Sequence, residues 1–249
     1  MDHYSELQDQ STLVGVLLEQ HAYWDLFSCV RFLPSRAHVV EASQASVLKV
    51  DNLRRYDTFG VLFGCAADLY QLAPSICQLA IDRRQSSLDP AANATRCLNE
   101  YNRLHEAITG WKHVNDFSTS SFTNTTASIA AGEFLRVTLL LFLQSSYRTD
   151  LKQLKQLAKP LVDHALRLID LIASTPWYNS IFTPLVVVAT FVEEEEDKRK
   201  VLRILTSRTQ LCKVSRKYLQ MLWEAPDDVY GLDGWSKVSN ADPVHYVFG

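Results

Sequence analysis

Thr183 to Glu224 reads TPLVVVATFVEEEEDKRKVLRILTSRTQLCKVSRKYLQMLWE, and this stretch decides the fold. An apolar run, Leu185 to Val192, is closed by a block of acids and bases, and a second helical pattern ends on Trp223. The run is far shorter than the roughly 20 apolar residues that cross a bilayer, so it reads as a helix inside a folded protein. Pro184 suits the first turn of that helix, where a missing N–H costs nothing. Beyond it Val201, Leu202, Leu205, Leu211, Val214, Tyr218, Leu219 and Leu222 recur at helical spacing, with Arg199, Arg203, Arg208, Lys213 and Arg216 between them. The chain therefore ends as stacked amphipathic helices, with an aromatic tail (Tyr230, Trp235, Tyr246, Phe248) that folds back onto them.

Upstream, Glu133 to Phe142 is apolar almost all round, which places it at the centre of the domain. Asp150 is a cap for the next helix, whose stripe is Leu151, Leu154, Leu157, Leu161, Ala165, Leu168, Ile169 and Ile172, with Pro160 restarting or kinking it. The expected fold class is all-α, a single multi-helical domain over residues 1–249. A buried central helix holding Phe134 to Phe142 packs on helices holding Leu161 to Ile172 and Leu185 to Val192. A division into subdomains 1–112 and 128–249, joined by the polar loop 113–127, is compatible with the same pattern. Asn115 to Thr126, NDFSTSSFTNTT, is the candidate mobile loop or lid.

In the first half, Ser11 can cap a helix through Leu13, Val16, Leu17, Tyr23, Trp24, Phe27 and Val30. His21 and Asp25 share a face there, but no third metal ligand accompanies them. Leu53 to Leu72 continues at helical spacing, and Gly60 and Gly64, four apart, imply close helix packing rather than a phosphate loop. Pro74 restarts a helix, and Asp89-Pro90 starts another.

A chain of 249 residues with 47% hydrophobic and 21% charged residues can bury a sizeable core. A formal charge of -3 and a pI near 6.2 give no electrostatic reason to bind nucleic acid, whose affinity rests on phosphate neutralisation. MDHYSELQDQ lacks the basic and apolar regions of a secretory signal, and no segment reads as a membrane span. An intracellular location, nuclear or cytoplasmic, is expected. The five Cys (Cys29, Cys65, Cys77, Cys97, Cys212) are scattered and odd in number, as for buried free thiols.

The order of features resembles the fungus-specific transcription-factor domain, the regulatory region that follows a binuclear zinc cluster in fungal regulators. Glu133-Phe-Leu-Arg136-VTLLLFL, a Trp-containing turn at Trp177, Pro184-Leu-Val-Val-Val-Ala189, Asp197-Lys-Arg199 and Leu219-Gln-Met-Leu-Trp223 occur in the family's order. HAYWDLF (His21 to Phe27) and FGVLFGCAADLYQLAPSICQLA (Phe59 to Ala80) are similar to its N-terminal helices. The resemblance implies a regulatory domain tied to fungal specialised metabolism. The family's zinc cluster of closely spaced Cys and its basic arm have no counterpart in these residues, so direct nucleic-acid binding is not expected.

Two functions from different classes stand. One is a regulatory domain that binds a small-molecule effector or a protein partner. The other is a cofactor-free cyclase, isomerase or dehydratase working by acid–base chemistry in an apolar helical pocket. The chain shows no nucleophile elbow, dinucleotide fingerprint, phosphate loop or metal spacing, so no cofactor and no metal are expected. Regulation is preferred because no catalytic constellation is visible. A homo-oligomer is compatible with either. The candidate site residues are Glu133, Arg136 and His164, at core-facing helix positions, with Trp177 and Tyr178 closing one side. For catalysis His164 would move the proton and Arg136 would stabilise negative charge; for regulation both would anchor an effector. The competing reading is a structural Glu133–Arg136 ion pair and a boundary histidine.

Overall fold

In a computed structural model of the chain, which describes residues 12–23, 53–56, 58–60, 62–63, 66–84, 89–113, 126–206 and 209–241, every regular element among the described residues is a helix. In chain order these are α1 (12–23), α2 (Ala67–Tyr70), α3 (Ala73–Arg84), α4 (Pro90–Thr109), α5 (Thr126–Tyr147), α6 (Leu151–Ile172), α7 (Tyr178–Ala189), α8 (Glu195–Ile204), α9 (Gln210–Trp223) and α10 (Gly231–Ala241). Trp24, Asp25, Phe27, Val30, Cys29, Gly64, Cys65, most of the polar loop 113–127 and the tail aromatics Tyr246 and Phe248 lie outside the described residues.

The apolar sequence of α5 makes it the hub. From Val137 to Ser146 every residue is buried, and Phe134, Val137, Leu141 and Leu143 are fully out of water. Each such large side chain contributes about 1.5–3 kcal/mol by burial. α5 packs most extensively on α6, then on α7, α3 and α4, as its all-round apolarity requires. At 22 residues, with mean hydropathy 1.6 in its best window, α5 has the length and composition of a membrane span, contrary to the expectation that no segment does. Its burial among other helices is what a core helix shows.

The side-chain caps expected at Asp89 and Asp150 form as the sequence requires. Asp89 accepts from the N–H groups of Ala91 and Ala92 at 3.1 and 3.0 Å, and Asp150 accepts from Lys152 and Gln153 at 2.9 and 3.4 Å. The acids after Val192 enter the first turn of α8 as Glu195, Glu196 and Asp197, where the helix dipole favours them.

Both internal prolines depart from expectation. α6 runs unbroken through Pro160, which lies on the exposed face where water can serve the carbonyl it leaves unpaired. α7 starts at Tyr178, so Pro184 is inside it and not in its first turn. Pro184 cannot donate to the carbonyl of Ser180, four residues earlier. The hydroxyls of Tyr70 and Tyr23 donate to that buried oxygen instead, at 2.9 and 3.1 Å.

Three faces are rotated or reshaped relative to periodicity. On α1 the buried residues are Gly15, Glu19, Ala22 and Tyr23, while Leu13, Val14 and Leu17 face outward. Oε1 of buried Glu19 accepts from the backbone N–H groups of Gly60, Leu62 and Phe63 at 3.1, 2.8 and 2.9 Å. Residues 58–60 accordingly form a turn with Gly60 at φ 104°, where the spacing predicts a helix, and Gly64, the other half of the expected pair, lies outside the described residues. On α6 the buried stripe is Leu154, Ala158, Val162, Ala165, Leu166, Ile169 and Ile172, leaving Leu157 exposed and Leu161 and Leu168 at its edge. Finally, the tail folds back as expected but as a helix, α10, with Tyr230 donating to the Phe191 carbonyl at 3.0 Å and Trp235 packed edge-on against Tyr218.

Candidate functional site

Glu133 and Arg136 sit three residues apart on α5, half-buried among residues that are otherwise buried from Ala130 to Ser146. Arg136 Nε and Nη2 donate to the two oxygens of Glu133 at 2.7 and 2.6 Å, a bidentate pair. α6 runs antiparallel alongside and brings His164 Nε2 to 3.1 Å from Glu133 Oε1. An ionised carboxylate only accepts, so Nε2 carries the proton and Nδ1 is left as an acceptor when the ring is neutral. The expected trio is therefore assembled. It lies at the surface, not in an enclosed cavity: the side chains of Glu133, Arg136 and His164 are 27%, 22% and 38% exposed.

Burial alone would raise the Glu133 carboxyl, but the hydrogen bond and charge of Arg136, reinforced by His164, outweigh it and hold the group below the usual carboxylate range. The hydrogen bond to Glu133 raises Arg136 further. At neutral pH the cluster thus contains a carboxylate and a guanidinium that neutralise each other, with the His164 ring oriented by the carboxylate. It can bind anions or acceptors through the remaining guanidinium N–H groups. As a catalytic device it offers one oriented imidazole nitrogen, and the cysteines among the described residues, Cys77, Cys97 and Cys212, are buried away from it.

Tyr178, 14 residues along from His164 and past the turn after α6, does not close this site, and Trp177 before it is partly buried against the hydrophobic core. The Tyr178 hydroxyl donates to the Ile204 carbonyl at 3.1 Å, and burial, followed by the nearby Cys212, pushes it up to about 12. Tyr178 instead lines an open groove of about 550 Å³ with Asp170, Ala173, Lys200, Arg203, Ile204 and Thr206. Lys200 bridges its wall, donating to the Leu166 carbonyl and to Asp170 at 2.8 and 2.7 Å.

A second open groove, of about 770 Å³, lies between α3 and α4, where the sequence offered no motif. Gln78, Asp82, Cys97, Arg96, Glu100 and Arg103 line it. Gln78 Nε2 donates to Asp82 at 2.6 Å, which leaves Gln78 Oε1 buried without a hydrogen-bond partner. The signal available beforehand was only the Arg-rich flank of an amphipathic helix. Among the described residues no group of three His, Cys, Asp or Glu could hold a metal ion.

A family model described as "Fungal specific transcription factor domain" matches residues 3–248. No curated protein and no solved structure matches the chain.

Proposed function

The chain belongs to the fungal specific transcription factor domain family, and from that premise we propose that it is the regulatory part of a transcriptional regulator, sensing an effector or a protein partner inside the cell, in or bound for the nucleus. The observation that carries this reading over catalysis is the state of Glu133. Its carboxylate is saturated by Arg136 and His164 and held ionised, so it is not poised to exchange protons near neutral pH. With five Cys in all, widely spaced, these residues cannot build the family's zinc cluster, and their balance of charge is acidic, so the domain acts through what it binds and not through DNA. A link to specialised metabolism rests on the family alone.

The test is a reporter assay in a fungal host, with the full chain fused to a heterologous DNA-binding module. Transcription from the module's sites should change relative to the module alone. Unaltered transcription across growth conditions that include secondary-metabolite production would refute the regulatory reading.

The second reading, a cofactor-free acid–base enzyme, is favoured by one contact: Glu133 orients His164 as a carboxylate orients a catalytic imidazole, leaving Nδ1 as a base. Conversion of a candidate metabolite by purified protein, lost on His164→Ala, would establish it in place of regulation.

A further inference from the structure

α9 is shared between two apolar clusters. Leu219 belongs to the main core, and the Trp223 indole donates to the Ala189 carbonyl of α7 at 3.1 Å. Val214, Tyr218 and Leu222, four residues apart along one stripe, instead join Val238 of α10 in a small cluster of their own. α10 fits that stripe by shape. A Cβ at Gly234 would stand 2.7 Å from Leu222 Cδ1, so α10 comes down on α9 at its glycine, and the Trp235 ring meets Tyr218 edge-on with centroids 5.8 Å apart.

α10 divides in the same way. Leu232, and Tyr230 just before the helix, belong to the main core, and the Gly231 N–H bonds the Thr190 carbonyl at 3.0 Å. Past Leu232 the ion pairs of Asp233 with Arg84 and of Lys237 with Asp228 join largely exposed side chains, where such pairs add little. Trp235 touches both clusters, and Val238 only the small one. With 11 residues, two of them glycine, α10 is too short and too glycine-rich to persist as a helix without a surface beneath it. For its distal part, leaving α9 and melting are therefore one step. That step leaves α9 in place, because Leu219 and Trp223 hold it from the core side.

We propose that α10 from Asp233 onward is a displaceable cover, seated in cis on a helix-binding stripe of α9 and able to swing out about Gly231, whose φ of 61° already turns the chain there. The occupant that replaces it is a partner helix with the pattern of α10 itself: a small residue, an aromatic one next to it, and an aliphatic one three residues further on, as at Gly234, Trp235 and Val238. The regulatory reading above gives the cover its biological meaning; the opening itself is a property of the fold.

Hydrogen exchange of the full chain at increasing urea tests the opening. Amides of residues 235–241 should exchange at least a hundredfold faster than those of Val137 to Leu143, with rates that rise far less with urea. One rate and one urea slope for both segments would overturn the proposal. The stripe is probed with a fluorescein-labelled peptide carrying the sequence of residues 229–241, followed by anisotropy. Gly234→Val, which pries α10 from Leu222, should bind this peptide at least tenfold more tightly than wild type does, and a peptide with Trp235→Ala should lose that gain. Equal binding by the two chains, or indifference to the tryptophan, would overturn the proposal as well. If Gly234→Val loses its cooperative melt, the exchange pattern of the wild type decides alone. A reporter response without local opening would keep regulation and remove the cover; local opening with a silent reporter would keep the cover and remove regulation.

Discussion

The Tyr70 hydroxyl donates at 2.9 Å to the carbonyl of Ser180, the oxygen that Pro184 deprives of its helical donor. Tyr23 donates to the same atom at 3.1 Å, so α1, α2 and α7 meet at one backbone defect. A proline inside a buried helix would ordinarily strand a carbonyl, and here two long-range phenols stand in for the missing N–H.

Tyr70→Phe alone should cost about 0.5–1.5 kcal/mol, because Tyr23 still serves the carbonyl. The double substitution with Tyr23→Phe should cost about 1 kcal/mol or more beyond the sum of the two singles, since only it leaves the buried oxygen unpaired. In a Pro184→Ala background the helix supplies its own donor and that excess should vanish. Urea denaturation of wild type and the seven variants measures this. Strict additivity in the proline background would disprove the relationship.

Gly231 begins α10 at φ 61°, and a Cβ there would stand 2.7 Å from the Phe191 ring. Its N–H also bonds the Thr190 carbonyl at 3.0 Å, which fixes the backbone in place. Gly231→Ala should therefore lose about 2–4 kcal/mol from left-handed strain and overlap together. Equilibrium unfolding followed through Trp235 fluorescence would report it, and a loss under about 1 kcal/mol would show that the α7–α10 junction yields.

The parts of the fold legible from sequence were those whose cause is local or collective. Asp89-Pro90 and Asp150 cap because the cap chemistry lies within three residues, and α5 is central because its apolarity goes all round. The Glu133–Arg136 pair is an i,i+3 neighbour relation, and His164 joins it because α5 and α6 are successive antiparallel helices. What sequence could not show depends on distant partners. The turn at Gly60 exists because Glu19, 41 residues away, gathers its N–H groups, so a helical spacing there was misleading. α10 forms in a Gly- and Asp-rich stretch because α9 and Phe191 offer it a surface, against its own propensity. Tyr178 parts from the Arg136 cluster because the turn after α6 carries it toward Ile204.

Glu133 gives a pH signature. Its carboxyl titrates lower in the folded chain than its ordinary value of 4.5, because Arg136 and His164 more than offset burial. A depressed folded value means the stabilisation is complete above about pH 4.5 and is lost as pH falls through the folded value. Glu133→Gln should therefore be less stable than wild type at pH 7, by about 1–3 kcal/mol from the broken charge-assisted bonds. The gap should close toward pH 3. Other depressed carboxylates such as Glu100 and Glu195 titrate in both proteins and cancel in the difference. A gap that is constant from pH 7 to pH 3 would mean the carboxylate's charge contributes nothing.

His164 separates function from scaffold. Its one described side-chain contact is with Glu133, which keeps its bidentate partner Arg136 when the ring is gone, and the ring itself is more than a third exposed. His164→Ala should cost no more than about 1 kcal/mol, a Tm shift of roughly 2–4 °C for a chain of this size. Arg136→Ala differs in kind, because it leaves a half-buried carboxylate with the imidazole alone, and should cost about twice as much or more. If the cluster is a recognition element, His164→Ala should blunt the reporter response severalfold while the melt barely moves. The response should return with His164→Gln, whose amide can donate to Glu133 and accept on its other side as the neutral ring does. If His164→Ala unfolds the chain, or leaves the reporter untouched, the histidine is a boundary residue and recognition resides in another face.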